Sequence, residues 1–468
     1  MPFLLPADLL ATATSTSTAS PAVLPMVVLG LIMVGTYALI AFEVLHKSLA
    51  AMLGAIVAVV VAMGFGLFET PVGAKRPFDA VHDIIGHEIG VLGVLIGTSI
   101  LVEVASQSGL FHFVAMKIVK RTGGDPGKLF LFITVLTVVF VTFLTIAPGS
   151  LIVASLALVV TKSLDINPKP YIMSVALAAN SGALVTLASG ICTLMLATAS
   201  GLSYGSFFRV TTPIAVLSAL VVYFVLRHRY KDLLVAAGSA EERAAVVADF
   251  DEWALVKDRR VFFRCAAILL LTIVGFAVAN TINIGLDFIA MCGGIAALLF
   301  SGHDPEQAIK MVKWPVILFF VGLFVVIGAV DASGLLTVMA NALVGLSGGN
   351  ETITMLLFSG FALVFSGLVD NIPIAATLIP VVHTLGETGL NPDPLWWALI
   401  LAANLGGNST PVGSISSVIA LSALEKERKI KIGWGEFMKV GGLILLIQSV
   451  IVIAWLLAFL HFDLFPAR

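Results

Sequence analysis

The chain has 468 residues, of which 59% are hydrophobic and 12% charged, and its formal net charge is −2. Soluble domains carry about 25% charged residues and about 45–50% apolar ones, so this composition excludes an ordinary water-soluble fold. Near-neutral charge gives no electrostatic case for nucleic acid, and Cys192, Cys265 and Cys292 lack the spacing of a disulfide framework or a metal site.

Residues 1–22 are rich in Ser, Thr and Ala and have no basic segment, so they read as a disordered tail rather than a signal peptide. Apolar runs then fall near 23–43, 49–68, 89–105, 129–162, 171–200, 211–226, 262–281, 285–300, 314–331, 352–386, 395–423 and 438–461. A spanning helix needs about 20 apolar residues, which predicts about ten or eleven spans. Four of the runs (129–162, 171–200, 352–386 and 395–423) are too long for one upright helix, and each is interrupted by Gly, Pro or polar residues. At membrane depth such interruptions survive only where protein or a water-filled cavity satisfies the freed backbone groups.

A polar segment divides the chain into a first repeat over 23–226, a linker over 227–261 and a second repeat over 262–468. The linker's basic residues place it in the cytoplasm by the positive-inside rule. His46–Lys47, Lys117 to Lys128 and Lys426 to Lys431 fall on the same side, with Lys75 and Arg76 the exception. The N-terminus is then outside, and the two halves enter the bilayer from opposite faces. Sequence supports the repeat: Leu177-Ala-Ala-Asn180-Ser-Gly182 matches Leu401-Ala-Ala-Asn404-Leu-Gly406, and Ser108-Gly-Leu110 matches Ser333-Gly-Leu335. The predicted fold class is an all-α membrane protein of two inverted repeats with re-entrant hairpins and discontinuous helices.

The broken segments read Thr145-Ile-Ala-Pro-Gly-Ser150, Asn180 to Gly190, Val369-Asp-Asn-Ile-Pro373 and Asn404 to Ser417. Small residues of this kind also serve ordinary helix packing. Recurrence at repeat-matched positions favours a site, where unwound carbonyls meet a cation and half-helix N-termini meet an anion. Asp370 is the sharpest residue, because a carboxylate at membrane depth costs at least about 2.5–3.5 kcal/mol on insertion scales. Glu103 and Asp331 lie near span ends. Glu43 and Lys47 are spaced to pair on one helix face. His87-Glu88 opens like a zinc-protease motif, but Val91 occupies the second histidine's place. His112 and His383 read as structural.

These motifs resemble the ion transporter superfamily, in particular its arsenite-pump/NhaD-type branch, which is related to citrate and dicarboxylate carriers. The resemblance rests on Ala41 to Gly54, Ser106 to Phe111, Thr122 to Leu129, Trp314 to Phe324, Asp370-Asn-Ile-Pro373 and Leu405 to Ser414. It implies a scaffold domain that is commonly dimeric, a mobile transport domain, and a site at the hairpin tips and helix breaks. The chain departs from the pattern at Thr145-Ile146, at Ser189 to Thr193 and at Ser417, so its first half carries no acid in the site. The expected coupling-ion site is therefore Asp370, Asn371, Asn404, Asn408 and Thr410. The expected substrate site is Thr145, Ser150, Asn180, Thr186, Ser189, Ser409 and Ser414. No cofactor is expected beyond a proton or a sodium ion as coupling ion, and the expected partners are the lipid bilayer and a second copy in a homodimer. The expected function is secondary active transport across the inner membrane, with antiport of a small ion ahead of symport of an organic anion. The absence of arginine from the broken segments counts against a tight dicarboxylate site. An intramembrane enzyme is a remote alternative, since Asp370 has no acidic partner in sequence.

Overall fold

The computed structural model describes residues 23–466 apart from 43, 69–78, 188, 237, 280, 283, 303–305, 307–309 and 311. The tail, Glu43, Lys75 and Arg76 lie outside the described residues, as does the His87 side chain. Every regular element described is a helix, and ten helices are long and apolar enough to cross a membrane. Their outward faces are strongly apolar, with Leu31, Phe224, Leu271 and Leu446 among the exposed side chains, as a lipid-facing surface requires.

The first repeat runs α1 (Val23–Ala41), α2 (Lys47–Gly64), α3 (Asp79–His87), α4 (Ile89–Gln107), α5 (Leu110–Lys120), α6 (Pro126–Leu144), α7 (Ile146–Ser163), α8 (Lys169–Gly182), α9 (Ile191–Ser200) and α10 (Tyr204–Arg229). After α11 (Ala240–Ala248) in the linker, the second runs α12 (Arg259–Val278), α13 (Leu286–Ser301), α14 (Trp314–Ala332), α15 (Leu335–Ser347), α16 (Glu351–Val369), α17 (Asn371–Glu387), α18 (Asp393–Gly406), α19 (Ile415–Arg428) and α20 (Trp434–His461).

Backbone geometry repeats with the sequence. Gly109 begins α5 at φ 81°, ψ 5°, and Gly334 begins α15 at φ 82°, ψ 4°. Asp125 and Asn350 cap α6 and α16 by accepting from the amides of Lys128 and Ile353 at 2.7 and 3.0 Å, the usual N-cap bond of Asp and Asn. Thr145 joins α6 to α7 and Asp370 joins α16 to α17, each as a single residue with positive φ. α8 and α9 are the two parts of one broken helix, and α18 and α19 are the two parts of another. With the hairpins α6–α7 and α16–α17 turning back, each repeat crosses the bilayer an odd number of times, so the second is inverted relative to the first.

Two close helix pairs tie the repeats together, α4 against α13 and α2 against α14. Glycine makes both approaches: a Cβ on Gly97 would stand 2.3 Å from the carbonyl carbon of Ala290, and one on Gly322 would stand 2.6 Å from that of Ala51. These pairs form one body. A second body contains the hairpins and broken helices, in which α6 packs on α8, α19 on α7 and α8, and α16 on α18.

The linker folds back on the first repeat. Ser239 and Glu242 form a reciprocal capping box on α11. Trp253 lies 4.4 Å from the Phe113 ring and under the Arg259 guanidinium, and Lys120 hydrogen-bonds Glu252. The Lys120 ammonium holds the Glu252 carboxyl below its ordinary range. A carboxylate with a depressed folded-state pKa contributes stability above its unfolded pKa and loses it as pH falls through the folded value. Hydrogen-exchange protection over 250–256, relative to the unfolded chain, is therefore expected to hold on acidification to the ordinary carboxylate range and to fall only below it. Loss of protection at higher pH, or wild-type protection near neutral pH in Lys120→Met, would contradict this.

Candidate functional site

Thr145 adopts φ 71°, ψ 171° and Asp370 adopts φ 107°, ψ 152°. Side-chain-bearing residues rarely occupy this region, at a cost of about 1–3 kcal/mol each. Both hairpin tips thus hold the same strained turn, and Pro148 and Pro373 stand three residues beyond each. Proline in a first turn forfeits no helix bond. Thr145→Gly is expected to raise thermal stability by about 1 kcal/mol through relief of this strain, while weakening transport because the tip loses its fixed shape. Unchanged melting of the purified variant would show that the turn is unstrained.

A cavity of about 640 Å³ opens at these tips. Its walls come from both bodies: Leu45 to Ser48, Leu95 to Glu103 and Lys313 to Phe319 on one side, and Leu144 to Pro148, Ile191, Cys192, Asp370 to Ile372 and Ile415 on the other. Among the described residues, six helices present their first turns to it: α2, α7, α9, α14, α17 and α19. Each N-terminus carries about half a positive charge on unpaired amides, so the cavity favours an anion.

Asp370 is buried, and both of its oxygens are engaged. Oδ1 accepts from the Asn371 amide at 2.8 Å, which caps α17, and Oδ2 accepts from Lys47 Nζ at 3.0 Å. The ion pair joins residues 323 positions apart and bridges the two bodies. This places Lys47 in the cavity with Asp370, whereas sequence spacing pointed it toward Glu43, a residue outside the described set. Lys313 and Glu103 line the same cavity from α14's cap and from α4. The broken segments lack arginine, but lysines from outside them supply the cations.

The remaining expected site residues separate into two groups. Thr145 and Asn371 line the cavity beside Asp370, and Thr186 lines a smaller hollow on the other side of the Thr145 tip. Asn180, Asn408 and Ser414 are buried in a network instead. Asn180 donates to Asn408 at 2.9 Å and accepts from Ser414 at 2.8 Å, and Asn408 donates to Gln448 at 3.0 Å. That network clamps the two broken helices together. Thr410 donates to Gly367 O at 2.6 Å, Ser409 to Gly406 O at 2.9 Å and Ser189 to Ala183 O at 2.7 Å. Asn404 donates to Ile400 O, while its Oδ1 and the Ser150 hydroxyl are buried without a hydrogen-bond partner. The repeat-related asparagines thus differ: Asn180 has both its amide nitrogen and its carbonyl oxygen engaged, and Asn404 keeps a carbonyl oxygen free. Glu103 accepts from Gln107 at 3.2 Å. Asp331 does not line the cavity, and His383 packs edge-on against Trp396. Lys313 and Gln448 went unnoticed in the sequence, and Lys47 was read there as a partner of Glu43 and a marker of the cytoplasmic side. Lys313 had one signal, its position directly before the Trp314-Pro315 apolar run.

Paired tips, paired helix breaks and a charged cavity between two bodies define a multi-pass membrane transporter. The model of the citrate transporter family, CitMHS, matches residues 37–402 and 284–467, and the chain belongs to that family. It is 31% identical over 414 residues to a 46 kDa membrane protein of Mycobacterium leprae, covering 87% of this chain and 92% of that one. It is 30% identical over 416 residues to an uncharacterized transporter of Mycobacterium tuberculosis, with 88% and 94% covered. In fold it is similar to the YdaH transporter of Alcanivorax borkumensis, described as having an unusual topology, with a TM-score of 0.60, 17% identity and 90% and 99% of the chains covered. The family match lies with the citrate transporters, and the arsenite-pump/NhaD-type likeness remains a resemblance.

Proposed function

We propose that this chain is a proton-coupled symporter of an organic carboxylate anion, with the Lys47–Asp370 pair as the coupling element. The observation that carries the reading is that pair, set among converging helix N-termini in a cavity between two bodies. While Asp370 is ionised it occupies the Lys47 ammonium, and an incoming carboxylate finds its partner taken. Protonation of Asp370 removes that competition, and Lys47 then holds the substrate's carboxylate by a charge-assisted bond, about 1.5–3 kcal/mol. Proton and anion therefore bind together, and release of either favours release of the other. This is the second of the two transport modes the sequence left open. The lysines and the family match favour it over antiport.

Counting spans from the linker, the first turns of α2 and α14 and the last third of α4 lie on the linker's face. We infer that the cavity opens to that face. Lys162, Lys169, Lys426, Lys429 and Lys431 share it, whereas Glu351, Glu387 and Asp393 lie at the opposite one. The positive-inside rule then makes the linker face cytoplasmic and this conformation inward-open. Movement of the hairpin body against the α2–α14 and α4–α13 body exposes the cavity on the other face, and the α2–α14 and α4–α13 body matches the scaffold that a homodimer would share.

The test is uptake of radiolabelled citrate into proteoliposomes under an imposed proton gradient, with a sodium gradient as a separate arm. Accumulation driven by protons supports the reading. Accumulation driven by sodium alone moves the coupling ion to the free carbonyl oxygen of Asn404, and no carboxylate uptake in either arm overturns the proposal.

A further inference from the structure

Lys313 is the cavity's second cation, and the coupling element does not use it. It caps α14 immediately before Trp314-Pro315, on the helix that Gly322 locks against α2. Among the described residues its ammonium has no ion pair and no hydrogen bond. Its side chain is exposed to the cavity. Burial lowers the ammonium from its ordinary range, and the Glu103 carboxylate opposes that shift. Glu103 sits on α4, held by Gln107, and also lines the cavity. The same cavity therefore holds one cation already engaged by Asp370 and one that feels the Glu103 carboxylate but makes no ion pair or hydrogen bond among the described residues.

We propose that Lys313 is a specificity-determining residue that binds a second carboxylate of the substrate, so that the site selects anions with two or more carboxylates over monocarboxylates. The inference rests on the carboxylate-carrier reading above. One carboxylate replaces Asp370 on Lys47, and the other meets Lys313 across the cavity. Both cations belong to the same body, so their spacing is fixed when the hairpins move, and it sets the separation of the two carboxylates. A cavity of about 640 Å³ accommodates a six-carbon polycarboxylate and is oversized for acetate.

The experiment measures inhibition of labelled citrate uptake by unlabelled citrate, succinate and acetate, in the wild type, Lys313→Gln and Lys313→Arg. The wild type should prefer citrate and succinate to acetate. Lys313→Gln should raise the KM for citrate about tenfold or more, as expected when a substrate charge loses its partner, and should bring succinate and acetate closer together. Lys313→Arg should retain most of the preference. A wild-type KM and preference in Lys313→Gln would overturn the role of Lys313 and leave the carrier reading intact. A wild type that moves no carboxylate would overturn the carrier reading itself. Equal loss in the Gln and Arg variants, with unchanged melting, would also overturn the proposal, because charge would not be what the site requires.

Discussion

Asp370→Asn is expected to abolish proton-driven accumulation of citrate while sparing citrate–citrate exchange. Asparagine is a good N-cap and tolerates positive φ better than most residues, so the Asn371 amide keeps its acceptor and the hairpin keeps its tip. The amide carries no charge and cannot take up or release a proton. Lys47 then faces no carboxylate at position 370 at any pH, as it would with Asp370 protonated, so substrate binds and exchanges. Net uphill movement is lost because no proton travels with it. Exchange should become flat with pH between mildly acidic and mildly alkaline conditions. Accumulation with a wild-type pH profile in this variant would remove Asp370 from coupling.

A thermodynamic cycle tests the same pair by stability. Lys47→Met leaves the Asp370 carboxylate buried without its cation. Breaking a fully buried pair costs about 3–5 kcal/mol. The Lys47 side chain is 31% exposed and that of Asp370 4%, so the expected loss is smaller, about 1–3 kcal/mol. The double variant Lys47→Met with Asp370→Asn should recover most of that stability and none of the carboxylate transport. Additive losses in the double variant would mean that the two groups do not interact in the native state.

The other large effect is expected at Gly97 and Gly322. A Cβ on either would sit well inside the backbone of the facing helix, on Ala290 or Ala51. Backbone cannot rotate aside as a flexible side chain can, so each pair of helices must separate along its length. Without a hydrophobic drive between helices in lipid, that close packing is a main source of their association. Gly97→Val and Gly322→Val should each strip the membrane of folded protein. Gly345→Ala is the control, since nothing lies within 4 Å of the added carbon, and helix propensity alone should gain it about 0.5–1 kcal/mol. Normal folding of the valine variants would show that the helices do not approach so closely.

Much of the architecture was legible in the sequence because the bilayer imposes a strict rule. Backbone groups must be satisfied within a helix, so apolar runs of spanning length mark helices, and runs too long or too broken mark hairpins and discontinuities. Thr145 and Asp370 stood out as interruptions for that reason, and an acid at that depth is costly enough to be conspicuous without any partner in view. The internal matches around Asn180 and Asn404 announced the repeat. They could not reveal that one asparagine would be held at both side-chain atoms by Asn408 and Ser414 while its counterpart kept a free oxygen, because that depends on what the facing helix presents.

The amino-acid order by itself determined that this is a twice-repeated helical membrane protein with its polar groups concentrated at four breaks, since hydropathy and helix-breaking residues act locally. Only the tertiary structure decided which of those groups meet. Lys47 and Lys313 lie at helix starts far from any break in sequence, where a cation reads as a marker of the membrane surface. Crossing of the two repeats carries them to the hairpin tips, and the resulting charge balance comes from packing between distant segments that no local pattern encodes.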